Sequence, residues 1–277
     1  MGVMPELPEV ETVKRTLSSL VVGKTIQKVT VSLPRIIRKP DDINEFVNKL
    51  AGTTISSVER RGKFLKLFAA PYVLVSHLRM EGKYRVTKSE EPVEKHVHVI
   101  FHFTDGTDLR YKDVRQFGTM DLFLDGEEMK EAPLEKLGPE PLGDEFTLDW
   151  FRTQLSKKTT KIKPLLLNQH FLVGLGNIYV DEALHKAKIH PERLANSLLE
   201  SDVTHLYEAI RQTLQTAINA GGSSVRSYVN GQGEMGYFQL QIKVYGRKNE
   251  PCYTCGNPIS RIIVGGRGTH ICNTCQH

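Results

Sequence analysis

All four cysteines of this 277-residue chain lie in its C-terminal tail: Cys252-x2-Cys255, sixteen residues, then Cys272-x2-Cys275. Two such knuckles suit one tetrahedral Zn(II) held by four thiolates. The other use of four cysteines is a pair of disulfides, which belongs to oxidising compartments. The N-terminus lacks the basic-then-apolar layout of a secretory signal, and no apolar run approaches a membrane span. The chain is therefore expected to be cytoplasmic, with no membrane partner, and to carry a single zinc. Four thiolates complete the coordination sphere and leave no place for an activated water, so the metal is structural. Between the knuckles "ISRIIVGGRGTHI" predicts a β-hairpin with Arg267 in its glycine-rich turn. An arginine fork on a braced turn matches phosphate oxygens. A solvated turn arginine is the alternative.

Upstream, the hydrophobic period changes twice. Val10, Val13, Leu17, Leu20 and Val21 recur at helical spacing, Pro8 suits the first turn and Gly23 supplies a stop. From about 24 to 124 the chain reads as short β-rich runs, with "TDGT" and "MEGK" placed like hairpin turns. The fold class is α+β and multidomain: an N-terminal β-sandwich with one helix over 4–132, then a proline-rich linker over 133–147. Helices dominate 148–236, closing with a Gly- and Ser-rich loop at 221–238, and the cysteine tail occupies 240–277. "KPLLLNQHFLVGLGN" predicts a helix at 164–169 and a second starting near Asn177 as N-cap. Free amides at that end, with Lys161 and Lys163 beside them, suit phosphate, although a simple helical hairpin fits the spacing equally well.

The net charge is +5, and its basic residues gather in "RRGKFLK", "KKTTKIK" and around "GGRG". That patterning points to a polyanionic partner. The opening "MGVMPELPEVE" sets a proline and three glutamates together in this basic chain. Read alone, Glu6, Glu9 and Glu11 form the acid-rich first turn of a helix.

In order along the chain come "PELPEVE", "RRGKFL", "HLRMEG", "DVRQFGT", "LGPEPL", "GLGNIYVDE" and the cysteine tail with "GRGTH". From Met4 to the C-terminus this succession resembles the bacterial formamidopyrimidine-DNA glycosylases, which remove 8-oxoguanine and ring-opened purines from DNA. The resemblance implies a helix–two-turn–helix domain and base flipping in bound duplex. It implies that Pro5 is the nucleophile, attacking C1′ through its secondary amine, and that β- and δ-elimination then nick the strand. By the same resemblance Glu6 is the general acid that assists sugar-ring opening, and Glu9 positions or deprotonates the amine. A helix N-terminus favours ionised carboxylates, so the acid role requires burial. Lys63 would donate the β-elimination proton and touch phosphate, and Arg267 would serve δ-elimination. Met80, Arg115 and Phe117 would fill the void left by the flipped base, with Arg115 on the orphaned cytosine, and His96 would contact the backbone. Gln116 stands where many relatives have a second basic residue. The 221–238 loop would close over the lesion.

With residues 1–4 attached, the Pro5 nitrogen is a tertiary amide without a nucleophilic lone pair, so Met4 is expected to be the functional start. Two other readings are an endonuclease VIII type enzyme for oxidised pyrimidines and a zinc-finger DNA-binding protein without catalysis. "HLRMEG" and the Arg115–Phe117 pair favour the purine branch, and "PELPEVE" would have no purpose in a mere binder. The resemblance further implies a monomer.

Overall fold

The computed structural model describes residues 4–223 and 241–277. It divides into two compact units, residues 4–136 with 221–223 and residues 137–220 with 241–277.

The first unit opens with α1 (Leu7–Val21). Its apolar stripe Val10, Val13, Leu17 and Val21 is at most 2 % exposed, and each such side chain contributes roughly 2 kcal/mol on burial. The helix stops where Gly23 takes φ +85° and donates its N–H to Ile55 O. Nine strands follow: β1 (Ile26–Val31), β2 (Ile37–Lys39), β3 (Ser57–Arg61), β4 (Phe64–Ala69), β5 (Tyr72–His77), β6 (Lys83–Lys88), β7 (Val97–Phe103), β8 (Thr107–Lys112) and β9 (Thr119–Leu124). They form a four-stranded sheet β1-β7-β8-β6 and a five-stranded sheet β2-β9-β5-β4-β3. Val29, Val99, Phe101 and Leu109 of the first sheet share one apolar cluster with Leu65, Leu74 and Leu122 of the second, which makes the pair a sandwich.

α1 packs on β3 and β4, so it belongs to that same core. "TDGT" is the expected hairpin between β7 and β8, with Gly106 at φ +82°. "MEGK" is not a hairpin, because β5 and β6 lie in different sheets and the turn crosses between them. A helix the β-rich pattern concealed, α2 (Ile43–Leu50), is capped by Asp42, whose carboxylate accepts the Asn44 N–H.

The second unit carries α3 (Leu148–Ser156), α4 (Ile162–Leu167), α5 (Asn177–Lys186) and α6 (Glu200–Asn219). An aromatic group, Phe146 with Trp150, Phe151, Phe171 and Tyr207, packs with ring centroids between 4.9 and 6.5 Å apart. The tail is the expected hairpin, β10 (Ser260–Val264) paired with β11 (Arg267–Ile271). Gly265 and Gly266, both at positive φ, make its turn. Among the described residues no helix is long and apolar enough to cross a membrane.

Candidate active site

At the start of α1 the acidic cluster is folded inward. Pro5 is buried, and Glu6 and Glu9 are 2 % and 3 % exposed. The burial that an acid role for Glu6 requires is therefore present. Glu9 Oε2 accepts the backbone N–H of Glu6 at 3.0 Å, an orphan donor at the helix start. Its other oxygen, Oε1, accepts from the N–H and the hydroxyl of Ser223, at 2.7 and 3.0 Å. A Cβ on Gly222 would stand 2.9 Å from that same oxygen, so the approach needs glycine. Ser223 is the third residue of the 221–238 loop expected to cover the lesion; residues 224–238 of that loop lie outside the described residues.

Glu11, one turn on, is paired with Lys14, Arg15 and Arg60. Burial pushes its carboxyl up, but Lys14 and Arg60 outweigh it and hold the group below its ordinary range. The Arg60 contact fastens α1 to β3, and Arg60 also donates to Gly62 O in the β3–β4 turn. Gly62 takes φ +58°, and the next residue is Lys63, only 5 % exposed. Beyond the turn, Phe64 pairs with His77 across β4 and β5, and their rings meet edge-on at 4.5 Å. His77 was not singled out from the sequence. Its Nδ1 accepts the N–H of Arg79 at 2.9 Å, and Arg79 has φ +53°. Desolvation, reinforced by Arg79 and Lys63, pushes its imidazole down to about 3. Nδ1 is thus an acceptor and the ring is neutral.

The four residues assigned to the void and the backbone lie on connecting turns of this unit. Half-buried Met80 follows the left-handed Arg79. His96, also half-buried, has φ +68° in the residue before β7. Arg115 is exposed between β8 and β9, and its guanidinium lies 5.0 Å from the ring centroid of Phe117. Phe117 is 53 % exposed.

The second unit holds the remaining candidates. Lys161 is exposed and paired with Glu192. Lys163 departs from expectation. It has no exposed surface, and its ammonium lies 2.6 Å from the equally buried Asp181. It also donates to Gly268 O at 3.3 Å, so it serves the interior rather than a phosphate. The reason is tertiary: α4 and α5 bring an opposite charge beside it, and a buried ion is tolerated only when paired. Asn177 is the first residue of α5 rather than its N-cap, which is Gly176. Its Nδ2 donates to Gly268 O at 2.9 Å. Asp181 Oδ2 accepts the His270 N–H at 2.8 Å. Lys163, Asn177 and Asp181 thus hold one edge of β11, the edge turned away from β10, and the strand's first residue is the exposed Arg267. Beside Asp181, Glu182 accepts three consecutive backbone N–H groups, those of Lys243, Val244 and Tyr245. The pair "DE" set between the apolar Ile178–Val180 and Ala183–Leu184 was the available sign of this buried network.

The four Sγ atoms of Cys252, Cys255, Cys272 and Cys275 lie within 4.8 Å of one another. Two of the separations are 3.4 and 4.0 Å. A tetrahedral Zn–S₄ site of ordinary bond length has sulfurs about 3.8 Å apart. The donor set therefore fits zinc, which would staple the hairpin.

Known proteins match this arrangement piece by piece. The formamidopyrimidine-DNA glycosylase N-terminal domain covers residues 4–120, the H2TH domain of the same enzymes 137–229, and a zinc finger found in FPG and IleRS 249–277. Together these describe a helix–two-turn–helix, zinc-finger protein of the DNA glycosylase class. The formamidopyrimidine-DNA glycosylase of Brevibacillus brevis is 61% identical over 273 residues, 99% of each chain. That of Bacillus subtilis is 59% identical over the same length, again 99% of each. Lactococcus lactis Fpg (MutM), solved with N7-benzyl-Fapy-dG containing DNA, superimposes with TM-score 0.92 at 44% identity, covering 99% of this chain and 100% of that one. The L. lactis enzyme with abasic-site DNA gives TM-score 0.91, at 98% and 99% coverage. This chain belongs to the formamidopyrimidine-DNA glycosylase family.

Proposed function

We propose that this protein is a base-excision repair enzyme that removes 8-oxoguanine and formamidopyrimidines from duplex DNA and then nicks the strand as an AP lyase. The observation that carries the reading is the start of α1, where Pro5, Glu6 and Glu9 are buried together in a member of this family. Pro5, freed of residues 1–4, presents a secondary amine whose ordinary pKa near ~8 leaves a useful neutral fraction. Its lone pair attacks C1′, the base departs with the glycosidic electron pair and takes up the proton that the amine sheds, and opening of the sugar ring leaves a cationic iminium. Glu6 delivers the proton for ring opening. Glu9 is a positioning group: its two oxygens tie the Glu6 amide to Ser223 and so align the residue next to the nucleophile with the start of the recognition loop.

The iminium withdraws electrons, so a proton leaves C2′ and the 3′ phosphate departs. δ-Elimination then releases the 5′ phosphate. Lys63 handles the proton of the first elimination and Arg267 assists the second. Met80, Arg115 and Phe117 occupy the void, with Arg115 on the orphaned cytosine. His96, Lys161 and Asn177 contact the DNA backbone, while Lys163 contributes by holding β11. The zinc, bound by the four cysteines, braces the Arg267 hairpin and takes no part in chemistry. The chain divides into a catalytic sandwich (4–132), a linker (133–147), a helix–two-turn–helix domain (148–236) and the zinc finger (240–277). It acts as a monomer in the cytoplasm, on nucleoid DNA.

Excision from 8-oxoguanine:C and thymine-glycol duplexes tests the reading directly. Preference for the purine lesion is expected. Preference for thymine glycol would move the chain to the endonuclease VIII type, and salt-sensitive binding without excision would reduce it to a binding protein.

A further inference from the structure

Asp113 follows β8 and has no exposed surface. Each of its polar groups is engaged. Its N–H donates to His96 O at 3.0 Å, and its carbonyl accepts from His98 Nε2 at 2.9 Å. Carboxylate Oδ1 accepts the Arg115 N–H at 3.1 Å, and Oδ2 accepts the Gly118 N–H at 2.8 Å. The Tyr111 hydroxyl reaches Oδ2 at 3.4 Å.

The Arg115–Phe117 loop is therefore wrapped around a buried side chain. Gln116 at its apex takes φ +60° and is held from outside by Arg35. A Cβ at Gly118 would stand 1.7 Å from the Tyr111 oxygen, so only glycine lets that N–H reach the carboxylate. A buried carboxylate is costly unless its lone pairs are met, and here donors from two ends of one loop meet them. Through its main chain the same residue also fixes the carbonyl of His96, itself at φ +68°.

We infer that Asp113 is a positioning residue: it locks the Arg115–Phe117 loop and the His96 turn into one preformed surface, and thereby sets the preference for cytosine opposite the lesion. The inference rests on the reading of Arg115 as the contact to the orphaned base. Asparagine in place of Asp113 is nearly isosteric, yet its NH₂ must face one of the two N–H donors. The loop then releases at one end.

The test uses the full zinc-loaded chain beginning at Pro5, with affinities for tetrahydrofuran-containing duplexes that carry C or A opposite the abasic analogue. Asp113→Asn should cut the C-over-A affinity ratio by about tenfold, near the low end of what one base contact is worth. Arg115→Ala should cut it as much. A residue with only a structural role would lower the melting temperature and leave the ratio alone. If Arg115→Ala collapses the ratio and folded Asp113→Asn keeps it, the positioning inference is overturned. If neither variant changes it, the reading of Arg115 fails as well.

Hydrogen exchange in the wild type supplies a measurement independent of the variant's folding. The Arg115 and Gly118 amides, though in a surface loop, should be protected on the order of a hundredfold. Exchange at the rate of an open loop would overturn the inference.

Discussion

Glu9 and Ser223 lie 214 positions apart, and a single carboxylate oxygen, Glu9 Oε1, accepts both the backbone N–H and the hydroxyl of Ser223. The helix that follows Pro5 and the entry to the 221–238 loop are therefore one hydrogen-bonded assembly. Bonds to a charged acceptor are worth ~1.5–3 kcal/mol each. Glu9→Ala should slow 8-oxoguanine excision by about tenfold to a hundredfold. Incision at a preformed abasic site, which needs no base recognition, should suffer less. Equal losses on both substrates would show that Glu9 acts on the chemistry alone.

The Pro5 assignment makes an all-or-none prediction. Borohydride should trap a covalent adduct on 8-oxoguanine:C duplex only with protein that begins at Pro5. Protein retaining residues 1–4 presents an amide nitrogen and should give none. Adducts from both forms would move the nucleophile to another amine, Lys63 first.

Lys163→Met leaves Asp181 buried and without its cation. Breaking such a pair costs about 3–5 kcal/mol, which urea melts of the variant should register. Adding Asp181→Leu should restore part of the loss, since the stranded charge disappears even though the His270 N–H also loses its acceptor. DNA affinity should fall in both variants, because the Lys163 bond to Gly268 O beside Arg267 is gone.

His77 makes part of the stability depend on pH. Its folded pKa is pushed down to about 3, below the ordinary 6.5. Between those values the unfolded chain binds a proton that the folded chain does not, so stability is complete above pH 6.5 and declines as the pH falls towards 3. Two pH units in that window correspond to roughly 2.7 kcal/mol. His77→Asn, which offers an acceptor to the Arg79 N–H but does not titrate, should flatten that part of the stability curve. An unchanged curve would show that His77 is protonated in the folded protein.

Zinc removal should be local. The apolar cluster around the cysteines is only Val244 and Ile259 with two of the cysteines themselves, too little to hold the knuckles without a metal. Chelation is expected to abolish DNA binding and hairpin signals in NMR while the β-sandwich keeps its melting transition. Zinc should restore binding. Retained affinity after verified metal loss would separate Arg267 from DNA recognition.

The elements legible in the sequence were those with a local cause. The α1 stripe follows a 3.6-residue period, the "TDGT" hairpin follows from its turn residues, and the zinc site follows from cysteine spacing. Family motifs carried the likeness to a glycosylase, and each of those motifs occupies a turn or a helix start. The fate of an individual polar side chain was not legible, because it depends on what arrives from elsewhere in the chain. "KKTTKIK" reads as uniformly basic surface, yet Lys161 faces solvent while Lys163 is sealed against Asp181. Asp113 and His77 look like ordinary residues at the ends of strands until the turns they hold are seen.

By itself, then, the sequence determined the sandwich-forming strands, the helical second half and the metal-ligand set, since periodicity, turn residues and ligand spacing act over a few residues, while the kind of chemistry was legible only through resemblance to a family. Tertiary structure alone decided which charges are buried, that "MEGK" crosses between sheets, and that Glu9 meets Ser223. A buried charge survives only beside a partner, and those partners come from distant parts of the chain.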